Sequence, residues 1–140
     1  MERKRKVIAV SGGFDPIHVG HVRMIQAAAA MGDVVVIANS DEWLKRKKGY
    51  AFMPFEERAE IISALQGVIA VVKAEDSDNT VCQSIIEIKP DVFANGGDRK
   101  PGNTPEGDVC AELGIAMAWN VGGEKIQSSS WLVDGAKENE

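Results

Sequence analysis

Short apolar runs alternate with helical patterns along the chain, and this alternation predicts a β-sheet with helices packed against it. The runs are rich in Val, Ile and Ala and are continuous, which is typical of strands buried on both faces. They predict five strands, at residues 6–11, 33–39, 68–72, 91–95 and 115–120. This order of strands and helices implies parallel pairing through right-handed crossovers.

The segments between the predicted strands carry helix signals at their ends. Gly32, Gly67 and Gly114 each follow a helical stretch and are typical C-terminal caps, whereas Pro54 is typical of a first helical turn. These signals predict helices at residues 19–31, 54–66, 79–89 and 104–113, and a short final helix beginning at residues 128–130. The predicted fold class is α/β, a Rossmann-like, doubly wound, parallel five-stranded sheet in a single domain covering residues 1–140. Ligands of such sheets bind beyond the carboxyl ends of the strands.

The chain has 140 residues and a formal net charge of −5. This length fits one domain with its own core, and the negative charge argues against nucleic acid or a membrane surface as a partner. No apolar run approaches the ~20 residues that a membrane span requires. Cys82 and Cys110 are too few and too far apart for a disulfide framework or a metal motif. We therefore expect a cytoplasmic protein with reduced thiols.

Both histidines of the chain, His18 and His21, lie in the segment that follows the first predicted strand. Gly12 and Gly13 precede them and permit a tight turn with close approach of a ligand to the backbone. Gly20 lets a phosphate or a base approach the first turn of the helix. The histidines are three positions apart, so on a helix their side chains face the same way. Two imidazoles beside the N–H groups of a helix N-terminus suit a phosphate chain.

Other interpretations of the histidine pair are a helix cap, a surface position or a zinc site. Two histidines at this spacing can bind zinc, but no third cysteine or carboxylate ligand is evident nearby in the sequence. Other phosphate-binding motifs do not fit, since neither G-x-x-x-x-G-K-[ST] nor G-x-G-x-x-G follows the first strand. This disfavours a Walker-type NTPase and an ordinary dinucleotide-binding domain.

The segment from Gly12 to His21 resembles the H-x-G-H signature of the nucleotidylyltransferase superfamily, whose fold is related to that of class I aminoacyl-tRNA synthetases. Further segments resemble the superfamily's motifs in the same order, at residues 39–41 with 45–49, 54–58, 90–98 and 128–130. Within the superfamily the chain is most similar to small cytidylyltransferases, such as glycerol-3-phosphate cytidylyltransferase, and to the adenylyltransferase domain of ADP-heptose synthesis. The string from Gly96 to Pro101 favours the latter.

The resemblance implies a role for residues in each of these motifs. The catalytic residues that it implies are His18, His21, Lys45 and Ser129. The nucleotide-binding residues that it implies are Gly12, Gly13, Phe14, His18, Gly20, His21, Gly96, Gly97, Asp98, Ser128, Ser129 and Ser130. The substrate-binding residues that it implies are Asp15, Lys45, Arg46, Lys48 and Arg58.

Several of these roles have a structural alternative that the sequence leaves open. The basic residues 45–48 form either a phosphate-binding loop or a solvated one, and which of the four acts is not determined. Arg58 contacts substrate or forms an ion pair on a helix surface, and Asp98 contacts the nucleotide or caps a loop. The serines 128–130 suit the β- and γ-phosphates at a helix start, or belong to a loop. The three tryptophans are interpreted as packing residues, with Trp119 nearest the expected nucleotide site.

The resemblance also implies a reaction. A nucleoside monophosphate passes from CTP or ATP to a phosphorylated small molecule, such as a sugar or polyol phosphate, and pyrophosphate is released. Mg²⁺ is expected with the triphosphate, held largely by phosphate oxygens and water. A homodimer is a further expectation from relatives. The alternative is a catalytically silent nucleotide-binding regulatory module of the same fold. The motifs do not determine the base or the acceptor.

Overall fold

The computed structural model describes residues 5–96, 104–119 and 121–122 of the chain. These residues contain five strands, β1 (Val7–Gly12), β2 (Asp33–Ala38), β3 (Val68–Lys73), β4 (Val92–Ala94) and β5 (Ala116–Ala118). They also contain five helices, α1 (Val19–Ala29), α2 (Asp41–Lys48), α3 (Phe55–Ser63), α4 (Cys82–Ile88) and α5 (Pro105–Leu113). No helix in this described part of the chain is long and apolar enough to cross a membrane.

The five strands form one parallel sheet in the order β3-β2-β1-β4-β5. The chain builds outward from β1 through β2 to β3, and then crosses to the other side of β1 for β4 and β5. Val10 of β1 is therefore paired with Val36 on one side and with Ala94 on the other. The predicted doubly wound fold is confirmed, and its switch point lies at the carboxyl end of β1.

Alternate residues of β1 point to opposite faces of the sheet, and helices cover both faces. On one face Val10 belongs to a buried cluster with Ile25 of α1 and Ile62 of α3. On the other face Ala9 belongs to a second cluster, which includes Ile85 of α4 and residues of α5. Burial on both faces explains the continuous apolar runs of β1, β2 and β4, whereas the edge strands β3 and β5 keep exposed positions.

The glycines that the sequence predicts as helix caps have different roles in the structure. Gly114 caps α5 in the left-handed conformation, with φ of +69°. Gly32 does not cap α1, which ends at Ala29. A Cβ on Gly32 would lie 2.3 Å from the carbonyl oxygen of Lys6, so glycine is required there for close packing of two backbone segments. Gly67 has φ of +92° but lies beyond the end of α3.

The basic segment that the sequence interprets as a loop is the last turn of α2, and the prediction of a loop is wrong. The Ser40 hydroxyl caps this helix by accepting a hydrogen bond from the Trp43 amide at 3.1 Å. Gly49 ends it in the left-handed conformation, with φ of +86°. Two acidic residues in the first turn and four basic residues in the last turn match the helix dipole. The basic side chains are thus fixed on a helical scaffold.

Candidate functional site

His18 and His21 form a reciprocal cap at the N-terminus of α1. His18 is the N-cap residue, and its Nδ1 accepts a hydrogen bond from the Gly20 amide at 3.1 Å. Nδ1 of His21 accepts a hydrogen bond from the His18 amide at 3.2 Å. The two rings are stacked, with centroids 3.9 Å apart. The side chains therefore face the same way, as their spacing in the sequence predicts.

This cap determines which ring nitrogen carries the proton. A neutral imidazole accepts a hydrogen bond at one nitrogen and donates from the other. Because Nδ1 is the acceptor in both rings, the proton of each neutral ring is on Nε2. The N–H donor of each neutral ring is thus a different atom from the one that caps the helix. These donors lie at a helix N-terminus, which by itself favours anions.

The turn between β1 and α1 is packed around Phe14. This residue is buried and has φ of +52°, and its ring centroid lies 4.7 Å from that of His21. A Cβ on Gly12 would lie 3.3 Å from the Phe14 ring, and one on Gly13 would lie 3.2 Å from Leu44 of α2. Both glycines therefore permit close packing of this turn, beside the nucleotide-binding role predicted for them.

Arg58 of α3 is fully buried, although the sequence predicts a contact with substrate. Its Nη1 donates to the carbonyl oxygens of Gly13 and Asn39, at 2.7 and 2.8 Å. Its Nε donates to the carbonyl oxygen of Met53 at 2.9 Å, and its Nη2 pairs with the Asp41 carboxylate at 2.7 Å. The contacts that the structure shows for Arg58 are thus structural, and its predicted substrate contact stays a prediction. The guanidinium joins the turn after β1, the end of β2 and the start of α2.

Asp15 is buried in the same turn, and its predicted substrate contact likewise stays a prediction. Its carboxylate accepts a hydrogen bond from the Phe52 amide at 2.7 Å and another from the Met53 amide. Lys48 of α2 pairs with this carboxylate at 3.3 Å and donates to the Asp15 carbonyl oxygen at 2.7 Å. Lys48 therefore neutralises a buried charge, and together the two residues hold the chain before α3 against the turn.

Arg46 contacts the segment between β3 and α4 rather than Asp15, and Lys47 contacts Trp43 of α2 itself. The Nη2 group of Arg46 donates to the Asp76 carbonyl oxygen at 2.8 Å and to Oδ1 of Asn79 at 3.4 Å. Nζ of Lys47 lies 4.7 Å from the centroid of the Trp43 ring. The basic turn of α2 is thus divided between two sides of the helix, which the linear sequence does not show.

The remaining predicted site residues are placed as follows. Lys45 is exposed on α2, and Gly96 lies two positions beyond the end of β4. Gly97, Asp98 and Ser128 to Ser130 lie outside the described residues, so their predicted roles stay predictions. Among the residues that are described, no group of three His, Cys, Asp or Glu side chains is placed to hold a metal ion.

Asp76 is a structural residue of the site that the sequence interpretation missed. It is buried just beyond the end of β3. Its carboxylate accepts hydrogen bonds from the Asn39 amide group at 3.0 Å, from the Ser40 amide at 2.9 Å and from the Ser40 hydroxyl at 2.7 Å. Asp76 therefore ties the segment after β3 to the end of β2 and to the cap of α2. The signal in the sequence is an acidic residue shortly after a predicted buried strand.

Two cavities lie beside α2 at the carboxyl edge of the sheet. The larger has a volume of about 420 Å³ and is lined by Trp43, Arg46, Lys47 and Asn79. The smaller, of about 50 Å³, is lined by Ser11, Asn39, Trp43, Asn79, Thr80, Val81 and Glu106. The two cavities share Trp43 and Asn79, so we describe them together as the α2 cleft. Trp43, interpreted from the sequence as a packing residue, forms part of the wall.

Local hydrogen bonds shape the segment that leads from the α2 cleft into α4. The amide and hydroxyl of Thr80 donate to the Asp78 carboxylate at 3.0 and 2.9 Å, and these bonds lower the pKa of Asp78. The Val81 amide donates to Glu106 of α5 at 3.3 Å. Burial raises the pKa of the Cys82 thiol, so this thiol is protonated at neutral pH. The segment is therefore held by its own contacts and by α5.

Comparison with known proteins identifies relatives over most of the chain. The cytidylyltransferase-like family matches residues 9–107. The bifunctional protein HldE of Hydrogenovibrio crunogenus is 39% identical over 129 residues, which cover 90% of this chain and 25% of that protein. HldE of Yersinia enterocolitica is 37% identical over 126 residues, covering 88% of this chain and 24% of that protein. The chain thus spans about a quarter of the length of these curated relatives.

A solved structure supports the same fold. The lipopolysaccharide core biosynthesis protein of Thermoplasma volcanium superposes with a TM-score of 0.66 at 23% sequence identity, over 82% of this chain and 93% of that one. The family match covers most of β1, the histidine pair, the α2 cleft and the buried Arg58. This family match confirms the resemblance to cytidylyltransferases that the sequence motifs indicate. The chain belongs to the cytidylyltransferase-like family.

Proposed function

We propose that the chain is a nucleotidylyltransferase, which transfers a nucleoside monophosphate from CTP or ATP to a phosphorylated sugar or polyol and releases pyrophosphate. Membership of the family supports nucleotidyl transfer. The observation that carries the proposal is the stacked histidine cap of α1. Its two rings carry Nε2 donors at a helix N-terminus, which is a favourable arrangement for a chain of phosphates.

In the proposed reaction an oxygen of the acceptor phosphate attacks the α-phosphorus of the nucleotide. The bond from this phosphorus to the oxygen bridging toward the β-phosphate breaks, and pyrophosphate leaves with that oxygen and its bonding electrons. The attacking oxygen is already anionic, so no strong general base is needed. Catalysis then depends on positioning and on stabilisation of developing charge. His18 and His21 perform both tasks by donating from Nε2 to the triphosphate.

Other residues complete the proposed site. Backbone amides near Gly13 and Phe14 hold the α-phosphate, and the exposed Lys45 meets the incoming phosphate. Further nucleotide contacts are proposed for Gly96, Gly97, Asp98, Ser128, Ser129 and Ser130. Asp15 and Arg58 act indirectly, because they fix the turn that carries these amides. The similarity of the string from Gly96 to Pro101 to the adenylyltransferase domain of ADP-heptose synthesis supports a sugar phosphate as acceptor.

Mg²⁺ is part of the proposal as an ion bound with the triphosphate by phosphate oxygens and water, its usual mode at phosphate sites. When bound there, it neutralises part of the phosphate charge. The roles given to the histidines and the turn amides do not depend on a protein ligand to this ion.

Substitutions that keep the helix cap and remove the imidazoles test the proposal. Asn is among the best N-cap residues, and Gln in the third helical position is a usual partner in a capping box. His18→Asn and His21→Gln should therefore each leave Tm nearly unchanged and lower kcat by about 10²–10³-fold. The measurement is pyrophosphate release with each of the common nucleoside triphosphates and a panel of sugar and polyol phosphates. Gln26→Glu, on the exposed side of α1, is the control.

The outcomes separate catalysis from structure. Full turnover in both variants would show that the imidazoles serve only as helix caps. Nucleotide binding without pyrophosphate release, for every combination of nucleotide and acceptor, would favour the catalytically silent binding module instead.

A further inference from the structure

Gly122, four positions after the end of β5, lies directly against the backbone of α1. A Cβ on this residue would lie 2.7 Å from the Cα atom of Met24 and 2.8 Å from its amide nitrogen. Its φ of +90° is also in the left-handed region that favours glycine. Met24 follows His21 by three positions, which is less than one helical turn. The chain that leaves β5 therefore packs on α1 close to the histidine cap.

Asn95 fixes this part of the chain to the end of β4. Its backbone N–H and its side-chain Nδ2 both donate to the carbonyl oxygen of Ala118, at 2.8 and 3.3 Å. Its own carbonyl oxygen accepts a hydrogen bond from the Val121 amide at 2.9 Å. Val121 is buried and shares a core cluster with Met24. The residue before Gly122 is therefore held both by β4 and by the core.

A continuous path of contacts thus joins two parts of the proposed site. At one end of the path are the histidines, which cap α1. At the other end is Gly96, which follows Asn95 and is a proposed nucleotide contact. Gly122 is the point at which the path passes from the strand ends to the helix. The absence of a side chain at this position determines how closely the two parts approach each other.

We infer that Gly122 is a positioning residue of the proposed reaction, because it sets the distance between the histidine cap and the end of β4. Such a role rests on the proposed function. Carbon atoms in contact lie roughly 3.5–4.0 Å apart, so a Cβ at 2.7 Å from Met24 requires a displacement of about 1 Å. Either α1 or the strand ends must move, and each movement changes the placement of the histidines relative to Gly96. A misplacement of about 1 Å is enough to lower a rate by about 10²-fold.

Gly122→Ala tests this role, and two other glycines of the chain supply matched controls. Gly32→Ala places a Cβ 2.3 Å from the carbonyl oxygen of Lys6, at the edge of the sheet where β1 and β2 begin. Gly114→Ala forces alanine into a φ of +69° at the end of α5, where no atom of the described residues lies within 4 Å of the new Cβ. The first control reproduces the backbone clash and the second reproduces the unfavourable φ. Neither lies beside the first turns of α1.

Nuclear magnetic resonance reports on the placement of the two parts without any ligand. The chain has only two histidines, so the His18→Asn variant assigns the imidazole signals of both. Gly122→Ala should shift these signals or those of the Asn95 carboxamide, whereas the two controls should leave them unchanged.

The pyrophosphate-release assay reports on the consequence for the reaction. Gly122→Ala should lower kcat by about 10²-fold, and both controls should keep the kcat of the parent chain below their melting temperatures. The KM of the acceptor phosphate should not rise in Gly122→Ala, because its proposed contact, Lys45, belongs to α2.

Asn95→Leu provides a second variant if Gly122→Ala does not fold. Leucine is similar in size to asparagine and removes the Nδ2 bond to Ala118, while Gly122 and its contact with α1 remain. This variant should shift the imidazole signals and lower kcat by a smaller factor. Unchanged imidazole signals in Asn95→Leu would contradict the path between β4 and α1.

Two results in Gly122→Ala would overturn the positioning role. Unchanged imidazole and carboxamide signals would show that only residue 122 had moved. An equal loss of kcat in Gly32→Ala or Gly114→Ala would show that a general loss of stability explains the effect.

The resonance measurements contain no nucleotide, so they separate this role from the proposed function. Shifted imidazole signals in Gly122→Ala, in a chain that releases no pyrophosphate with any acceptor, would retain the path and refute the proposed function. Pyrophosphate release by Gly122→Ala at the rate of the parent chain would retain the proposed function and refute the positioning role.

Discussion

Arg58→Met removes the guanidinium that holds the turn after β1, the end of β2 and the start of α2 in one arrangement. Arg58 is fully buried and makes four hydrogen bonds of 2.7 to 2.9 Å, three to carbonyl oxygens and one to the Asp41 carboxylate. Met is unbranched and flexible, so it fills much of the same space. The loss of stability should therefore come from the polar contacts rather than from an empty volume.

The magnitude follows from those contacts. Removing one partner of a buried ion pair costs about 3–5 kcal/mol, and each carbonyl left without a donor adds about 1–3 kcal/mol. These costs are not additive within one network, and Asp41 is 29% exposed, so water compensates part of its loss. We expect Arg58→Met to lower the free energy of unfolding by about 3–5 kcal/mol, a large share of the roughly 5–15 kcal/mol typical of a domain.

Urea unfolding followed by circular dichroism measures this loss, with an unchanged m-value as the sign that the two end states are the same. Arg23→Met, on the exposed side of α1, is the matched control and should change the free energy of unfolding by less than about 0.5 kcal/mol. Arg58→Lys should give an intermediate loss, because an ammonium cannot reproduce the planar fork of donors.

Two results would refute this reasoning. A loss below about 1 kcal/mol in Arg58→Met would mean that the buried contacts contribute little, contrary to the cost expected for an unpaired buried charge. If Arg58→Lys kept full stability but lost turnover, the result would favour the direct substrate contact that the sequence predicts for Arg58.

Two further predictions concern close packing and thiol chemistry. Gly32→Ala should lower the free energy of unfolding by about 1–3 kcal/mol, because the new Cβ would lie 2.3 Å from the carbonyl oxygen of Lys6. A urea unfolding curve identical to that of the parent chain would contradict this prediction. Burial raises the pKa of the Cys82 and Cys110 thiols, so at about pH 8 iodoacetamide should alkylate the native chain more slowly than the urea-unfolded chain. The free energy of unfolding should correspondingly fall as the pH rises from the thiol pKa of the unfolded chain through the higher pKa of the native chain. Equal alkylation rates of the native and unfolded chains at about pH 8 would show that folding does not raise the pKa of these thiols.

Most elements were predictable because apolar runs mark the strands, and because glycine and proline signals mark the ends of helices, both within short segments of the sequence. The exception is α2, which buries only Leu44 among its eight residues and therefore shows no apolar periodicity. Its cap signals were nevertheless present in the sequence, with Ser40 before the helix and Gly49 after it. These cap signals did not lead to a helix prediction, because four consecutive basic residues are also typical of a solvated loop.

The candidate site also has a part that the sequence predicted and a part that it did not. The pairing of His18 with His21 was predictable because both lie within one helical turn, where spacing alone sets direction. The role of Arg58 was not predictable, because its burial depends on carbonyl groups that other segments supply. Gly13, one of its partners, lies 45 positions earlier in the chain.

The sequence by itself determined the parallel sheet, its alternation with helices and the histidine pair at the start of α1. These features depend on local patterns of burial, turns and helix caps, which a single segment encodes. Only the tertiary structure decided that Asp15 and Arg58 are buried supports and that Arg46 lines a cleft beside Asn79. The physical reason is that burial and charge pairing depend on distant segments, which the strand order brings to one edge of the sheet.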